Sequence, residues 1–559
     1  MRGRLTIIVL AGIAVVIAFV VSGRSDSKPN PKASSAGAAA RAPAGALTLT
    51  LYYSPEKEKL LVPLVNRFNA EKHTSAGRVV FIDARNKASG DVERQIAQGT
   101  LRPVLWSPAS SLWGRLLNYE ADQRLVADEN PSIVRTPLVI AMFKELADAY
   151  GYPKRKLGYK ELAELATGGW AAVGKPQFGK FKYVHTNPDF STAGLSAVAA
   201  SYYAAVGKKE GLTVSDVVRG RPQVQKLERS IVHYGDTTLF IADEMRRGGL
   251  GYASAGAMEE TTMIDFNRRA GNGARLVAVY PEEGTFFSDN PLITLRGDWV
   301  TPEQASAGKV FAAFLAKAVT PEVAGAQGFR PADPNVPPAG RVTAANGVDP
   351  EQPARVLRVP EPKVLAKIKA TWQADRKPAN VMMVFDNSSS MGAENKIKQA
   401  KEGLKGFFRQ AAPQDRIGLI KFSHEIVPLV GIAPMSTNRK KLLAATDTIL
   451  PDDDTRVRDA TLDGINAVSA HLDKGAINAV VLLTDGDDTS STHSGYDVLK
   501  ALERQREKET GQIRVFTIAY GRDPNKAELA AYAKASGGKS YMGGADQIAS
   551  IYQSISSFF

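Results

Sequence analysis

The chain has no cysteine in 559 residues and only six histidines. No disulfide can staple it, and the thiolates and imidazoles that build zinc sites are missing or scarce. No Gly-x-x-x-x-Gly-Lys-Ser/Thr stretch occurs, which removes the loop that cradles phosphate in P-loop enzymes. His185, His424, His471 and His493 stand in no recognisable nucleophile elbow, so a hydrolase of that type has no signature here. The acidic run 485–491 lacks the glutamate that closes an EF-hand loop. The formal charge of +13 is spread along the chain without a dense Lys/Arg block, which suits a solvated basic surface and excludes an obvious nucleic-acid footprint. These absences point away from catalysis: the chain is expected not to be an enzyme. With 44% apolar and 23% charged residues it is globular, and its length calls for two or three domains.

Arg2 and Arg4 precede an uncharged run over 5–23, long enough to cross a bilayer. The flanking arginines place the start of the chain in the cytoplasm. The expectation is an uncleaved signal-anchor, a transmembrane helix over 1–24, with a cleavable signal peptide as the alternative. The Pro/Ala/Gly/Ser-rich stretch 25–46 reads as a flexible tether. The protein is then single-pass in the cell membrane, with the bulk of the chain extracytoplasmic.

From 47 to 332, strand-like runs alternate with helical stripes, the pattern of an α/β domain with a mainly parallel sheet. Ser54, Ser89, Ser107, Ser191 and Thr192 fall at strand ends or helix starts. Each reads singly as a cap, and as a set they can hold an anion with amides and hydroxyls. Glu259 and Glu260 oppose an anionic ligand if they face the same place. Gly249–Ala253 reads as a strand. Residues 333–376 begin Pro/Ala/Gly-rich and end in a connecting helix marked by Val364, Ile368 and Trp372. The domain over 47–332 resembles a type 2 periplasmic-type solute-binding protein. That resemblance implies two lobes closing on a cleft, where those five residues would hold a small polar or anionic ligand.

Residues 377–559 carry the sharpest signal. An apolar run from Val381 ends in Asp386, with Ser388 and Ser390 two and four positions on. Thr455 lies in a second loop, and the run Val480–Leu483 ends near Asp485. Two carboxylates and three hydroxyls are hard oxygen donors of low charge, suited to Mg²⁺ with retained waters or a loosely held Ca²⁺. The strand–helix alternation describes a doubly wound, Rossmann-like sheet. Motifs and pattern together resemble the von Willebrand factor A family with its metal-ion-dependent adhesion site. The resemblance implies that Ser388, Ser390 and Thr455 touch the ion, that Asp386 and Asp485 act through water, and that an acidic residue of a partner fills the open position. Asp452-Asp453-Asp454 replaces the Gly-Gly frequent before that threonine, adding charge that attracts cations and repels acids.

The fold expected is therefore α/β: a two-lobed solute-binding-protein fold, then a doubly wound von Willebrand factor A domain, behind an N-terminal transmembrane helix. The function expected is metal-dependent binding of an extracellular or cell-surface protein in adhesion or complex assembly. The alternative is an extracellular receptor for a small polar or anionic ligand, linked to ABC-type transport or sensing. Sequencing the membrane-extracted protein from its N-terminus should return residues ahead of the apolar run; a mature chain starting beyond Gly23 would sink the anchor.

Overall fold

The computed structural model describes residues 41–559 apart from 507–510 and 522. The apolar run over 5–23, on which the membrane anchor rests, lies outside the described residues. Among those described, no helix is long and apolar enough to cross a membrane.

The architecture is mixed α/β, built on three sheets. In the first, Leu47–Tyr53 runs parallel to Arg78–Asn86 on one side and Leu105–Ser107 on the other. Helix Glu58–Glu71 links the first pair and turns Leu60, Leu61, Leu64, Val65 and Phe68 into the core, the i, i+3, i+4 stripe of an amphipathic helix. The chain enters the second sheet at Thr136–Phe143, a strand buried along its whole length. That strand pairs antiparallel with Ala255–Glu259, which pairs in parallel with Tyr183–Thr186. The return is made at Ile293–Thr294, antiparallel against Leu105–Ser107, and helix Pro302–Ala318 then packs Phe311 and Phe314 onto Phe68.

One reading fails locally. Residues 249–253 are not a strand but close helix Thr238–Tyr252, and the strand begins at Ala255. Gly249 takes φ 53° inside that helix, a conformation glycine adopts without steric cost. Clustered glycines thus marked a kinked helix end and not an extended segment.

Residues 344–357 run along the second sheet unit, with Gly347 accepting from Ala278 N and Leu357 donating to Thr285 O. Helix Pro362–Asp375 follows. Its Trp372 donates Nε1–H to Glu228 at 3.1 Å and meets Tyr234 edge-on at 5.0 Å. Asp375 receives a forked pair of hydrogen bonds from Arg221. The helix is thereby fixed to the second sheet unit.

The third sheet follows. Its strands are Ala379–Asp386, Arg416–Phe422, Ile426–Pro434, Ile477–Thr484, Ile513–Tyr520 and Ser540–Gly543. Numbered one to six in chain order, they lie 3-2-1-4-5-6, all parallel except the antiparallel pair formed by the second and third. This is the doubly wound order, and its winding reverses between the first and fourth strands. The strands Ala379–Asp386, Ile477–Thr484 and Ile513–Tyr520 are buried at every residue, as a parallel sheet covered on both faces requires.

A buried ion pair locks the connecting helix to this sheet. Arg376 donates to both oxygens of Asp415, at 3.1 and 2.7 Å, with both side chains about 95% covered. Asp415 also accepts from the amides of Ala379 and Ala412. Removing one partner strands the other charge in a low dielectric. Asp415→Ala should therefore cost about 3–5 kcal/mol in chemical denaturation, whereas Arg376→Met/Asp415→Leu should cost far less.

Candidate functional site

In a doubly wound sheet the carboxyl ends of the strands flanking the reversal form a crevice. Here those strands end at Asp386 and Thr484, and Asp485 is the next residue. Asp386 is fully buried; one oxygen accepts from Ser388 N at 2.7 Å and the other from Thr484 Oγ1 at 2.5 Å. Burial pushes its carboxyl up to about 6, against the Ser388 and Thr484 hydrogen bonds that hold it down. Ser388 and Ser390 have their hydroxyls 3.1 Å apart, and Ser390 Oγ donates to Asp485 at 2.6 Å. Thr455 closes the group: a methyl placed on Gly486 would meet Thr455 Oγ1 at 3.6 Å and Ser390 Oγ at 3.7 Å. The structure therefore brings Asp386, Ser388, Ser390, Thr455 and Asp485 to one crevice.

Two participants were not legible in the sequence. Thr484 fixes the Asp386 carboxylate. Lys396, at the start of helix Lys396–Gln410, places its ammonium 2.7 Å from the second oxygen of buried Asp485. A cation seated here would compete with that ammonium for Asp485. Among the described residues no group of three or more His, Cys, Asp or Glu is placed to share a metal, so a cation at this crevice must rely on hydroxyl oxygens as much as on carboxylates. Of the three preceding acids, Asp452 pairs with Ser388 in a parallel bridge and accepts from Ser423 Oγ at 3.2 Å. Asp453 and Asp454 are exposed.

A second cleft lies between the first two sheets. Ser54, Ser89, Ser191 and Thr192 line it, with Glu56, Asp236, Thr237, Thr238 and Glu259. Its free volume is about 20 Å³, room for one water-sized species. Most of the hydroxyls are already engaged. Ser54 donates to Glu56, Ser89 Oγ accepts from Ala109 N, and Thr192 Oγ1 accepts from Trp113 Nε1 at 2.7 Å. Ser191 precedes helix Thr192–Val206 without a side-chain capping bond.

Ser107 does not line this cleft. Buried Lys57 claims it, donating to Ser107 O, Ser107 Oγ and Pro108 O at 2.8–2.9 Å. Burial lowers that ammonium to about 8, with Glu56, Asp289 and Glu259 acting to hold it up. The two adjacent glutamates part company. Glu259 faces the cleft, accepts from Thr238 at 2.7 Å and is raised to about 7, by burial first and then by the charge of Glu56. Glu260 turns away into a buried forked pair with Arg330.

The chain thus joins a doubly wound sheet, with a carboxylate-and-hydroxyl crevice at its reversal point, to two further sheets that face each other across a polar cleft. The model of the von Willebrand factor type A domain matches residues 380–550, so the chain contains such a domain. That domain type is a non-catalytic binding domain.

The inter-alpha-trypsin inhibitor heavy chain H4 of Bos taurus is 32% identical over 170 residues, covering 29% of this chain and 18% of that one. An uncharacterized protein of Mycobacterium tuberculosis is 25% identical over 459 residues, 78% of this chain and 64% of that one. The chain thus spans about a fifth of the heavy chain and just under two thirds of the mycobacterial protein. Among solved structures, a periplasmic thiamin binding protein aligns at TM-score 0.43 and 14% identity, over 61% of this chain and 99% of that one.

Proposed function

We propose that the chain is an extracytoplasmic binding protein that holds a small polar solute between its first two sheets, as a receptor coupled to transport or sensing. The supporting observation is convergence: Ser54, Ser89, Ser191 and Thr192, from both sheet units, face one cleft. Glu56, Asp236 and Glu259 face it too, a concentration of carboxyl oxygens suited to accept hydrogen bonds from a solute's donors. The solute expected therefore carries hydroxyl or ammonium groups. At about 20 Å³ the cleft must open before anything larger than water enters, so capture couples to separation of the two sheet units.

A second reading belongs to the other domain and is compatible with the first. The convergence of Asp386, Ser388, Ser390, Thr455 and Asp485 supports a site for Mg²⁺, or Ca²⁺, that engages an acidic residue of an extracellular or cell-surface protein in adhesion or complex assembly. The three hydroxyls would touch the ion and the two carboxylates would hold its waters, leaving it under-neutralised and open to an external acid. The membrane is a partner through the N-terminal apolar run, which would leave the rest of the chain outside the cell.

Three measurements separate these readings. In a thermal-shift screen of the full chain, polyols or small amines should raise the unfolding temperature, and Glu259→Gln/Ser191→Ala should abolish the shift; a saturating ligand at about 100 Kd contributes near 2.7 kcal/mol. Shifts with phosphate or sulfate alone would refute the assignment of ligand charge.

For the metal, titration calorimetry should show Mg²⁺ binding that Asp386→Ala weakens by at least about 10-fold, since even an outer-shell partner is worth that much. Crosslinked pull-down from intact cells should lose the same partner with EDTA and with Asp386→Ala. Recovery of identical partners in every condition would leave the solute reading alone.

A further inference from the structure

Beside the cleft between the first two sheets lies a further cavity of about 200 Å³, and the two share Pro55, Glu56 and Leu239 in their walls. Its long wall is helix Glu260–Arg269. Thr261, Ile264, Asp265 and Arg268 all line the cavity, the i, i+3, i+4, i+7 positions that share one helix face. The N-terminal end of that face adjoins the cleft, since the Thr262 hydroxyl lies 3.3 Å from that of cleft residue Thr238. From Thr261 to Arg268 the helix rises about 10 Å. At the far end Arg341 joins Arg268: burial first, then the charge of Arg268, lower the Arg341 guanidinium, with Asp265 opposing. Midway, Asp265 is paired with Lys59 of the first sheet unit at 2.8 Å and with Arg269 at 2.7 Å. The cavity therefore runs from a carboxylate, Glu56, past an ion pair, to two guanidiniums.

We infer that the solute is a linear zwitterion, an ω-amino acid or a short peptide with free ends, whose ammonium lies in the cleft and whose carboxylate reaches Arg268 and Arg341 along this cavity. The inference rests on solute capture between the first two sheets and names the class of solute captured. At the cleft end, Glu56, Asp236 and Glu259 offer acceptor oxygens to an ammonium. At the other end, guanidinium forks match a carboxylate with two parallel hydrogen bonds, and among the described residues neither arginine is in an ion pair. A solute with one charge satisfies one end; a solute with both, set apart by a short chain, satisfies the two together. Pro55, Leu239 and Ile264 supply apolar surface for the methylenes between them. At roughly 30 Å³ per water the cavity holds the equivalent of about seven waters, room for a chain rather than a lone ion. Lys59 and Asp265 join the two sheet units across it, and such an exposed pair is weak, so it opens with the cleft.

The test is titration calorimetry on the full chain, in EDTA, with three probes of one length: aminocaproate, which carries both charges, hexylamine and hexanoate. Three proteins are compared: the unaltered chain, Arg268→Ala/Arg341→Ala, and Lys309→Ala/Lys317→Ala, which removes the same charge from the exposed face of helix Pro302–Ala318. Aminocaproate should bind the unaltered chain at least about 10-fold more tightly than either singly charged probe, the value of one charge-assisted hydrogen bond. The arginine variant should erase that advantage while binding hexylamine as the unaltered chain does, which also shows it to be folded; the lysine variant should change nothing. Equal affinity for aminocaproate and either singly charged probe, or an advantage that survives the arginine variant, overturns the inference and leaves the solute reading standing. No saturable heat from any probe, with a flat thermal-shift screen, removes both.

Discussion

The buried pair between Arg376 and Asp415 is the interaction on which the arrangement of this protein depends. It sits where the connecting helix ends and the third sheet begins, and Asp415 spends its remaining acceptor capacity on the amides of Ala379 and Ala412. Fourteen residues of helix earlier in the chain, Pro362–Asp375, are held to the second sheet unit by Trp372 on Glu228 and by Asp375 on Arg221. With both ends of the joint desolvated and satisfied, the C-terminal domain meets the preceding sheets in one geometry. Phe240 against Phe558 and Lys539 against Asp236 extend that contact.

The polarity of parallel sheets then sorts the chemistry. Carboxyl ends of strands carry the loops that hold Asp386, Ser388, Ser390 and Asp485, because the winding reverses there and the adjacent loops part. Amino ends of the second and third sheets face each other across the joint, and there lysines and arginines line a cavity of about 490 Å³. The crevice follows from where the loops of a doubly wound sheet are free to diverge.

Electrostatics inside the protein also separate neighbours that look alike in the chain. Glu259 and Glu260 are consecutive, yet a strand ends at one and a helix starts at the other, so they point apart. Glu260 finds Arg330 and forms a forked pair, whereas Glu259 accepts from Thr238 and is raised toward neutrality by burial first and then by the charge of Glu56. Asp236 lines the cleft while pairing with Lys539 of the C-terminal domain, which ties the polar cleft to the joint.

The sequence by itself determined the pieces whose signals are local. Fully apolar runs such as Val381–Phe385 must be buried strands, and an aspartate followed by hydroxyls two and four residues on must stand on the loop after one. The helix over Val364, Ile368 and Trp372 was legible because its stripe repeats at helical spacing. Tertiary structure decided what depends on distance in space. It turned Ser107 from the cleft to Lys57, since a buried ammonium needs three acceptors and the 107–108 turn supplies them. It brought Lys396 to Asp485 across 89 positions. It gathered six basic residues that lie from Lys180 to Arg514 around the cavity at the joint, because only sheet order and the joint between domains bring those strand starts together. A residue's neighbours along the chain fix its conformation; its charge partners are fixed by packing.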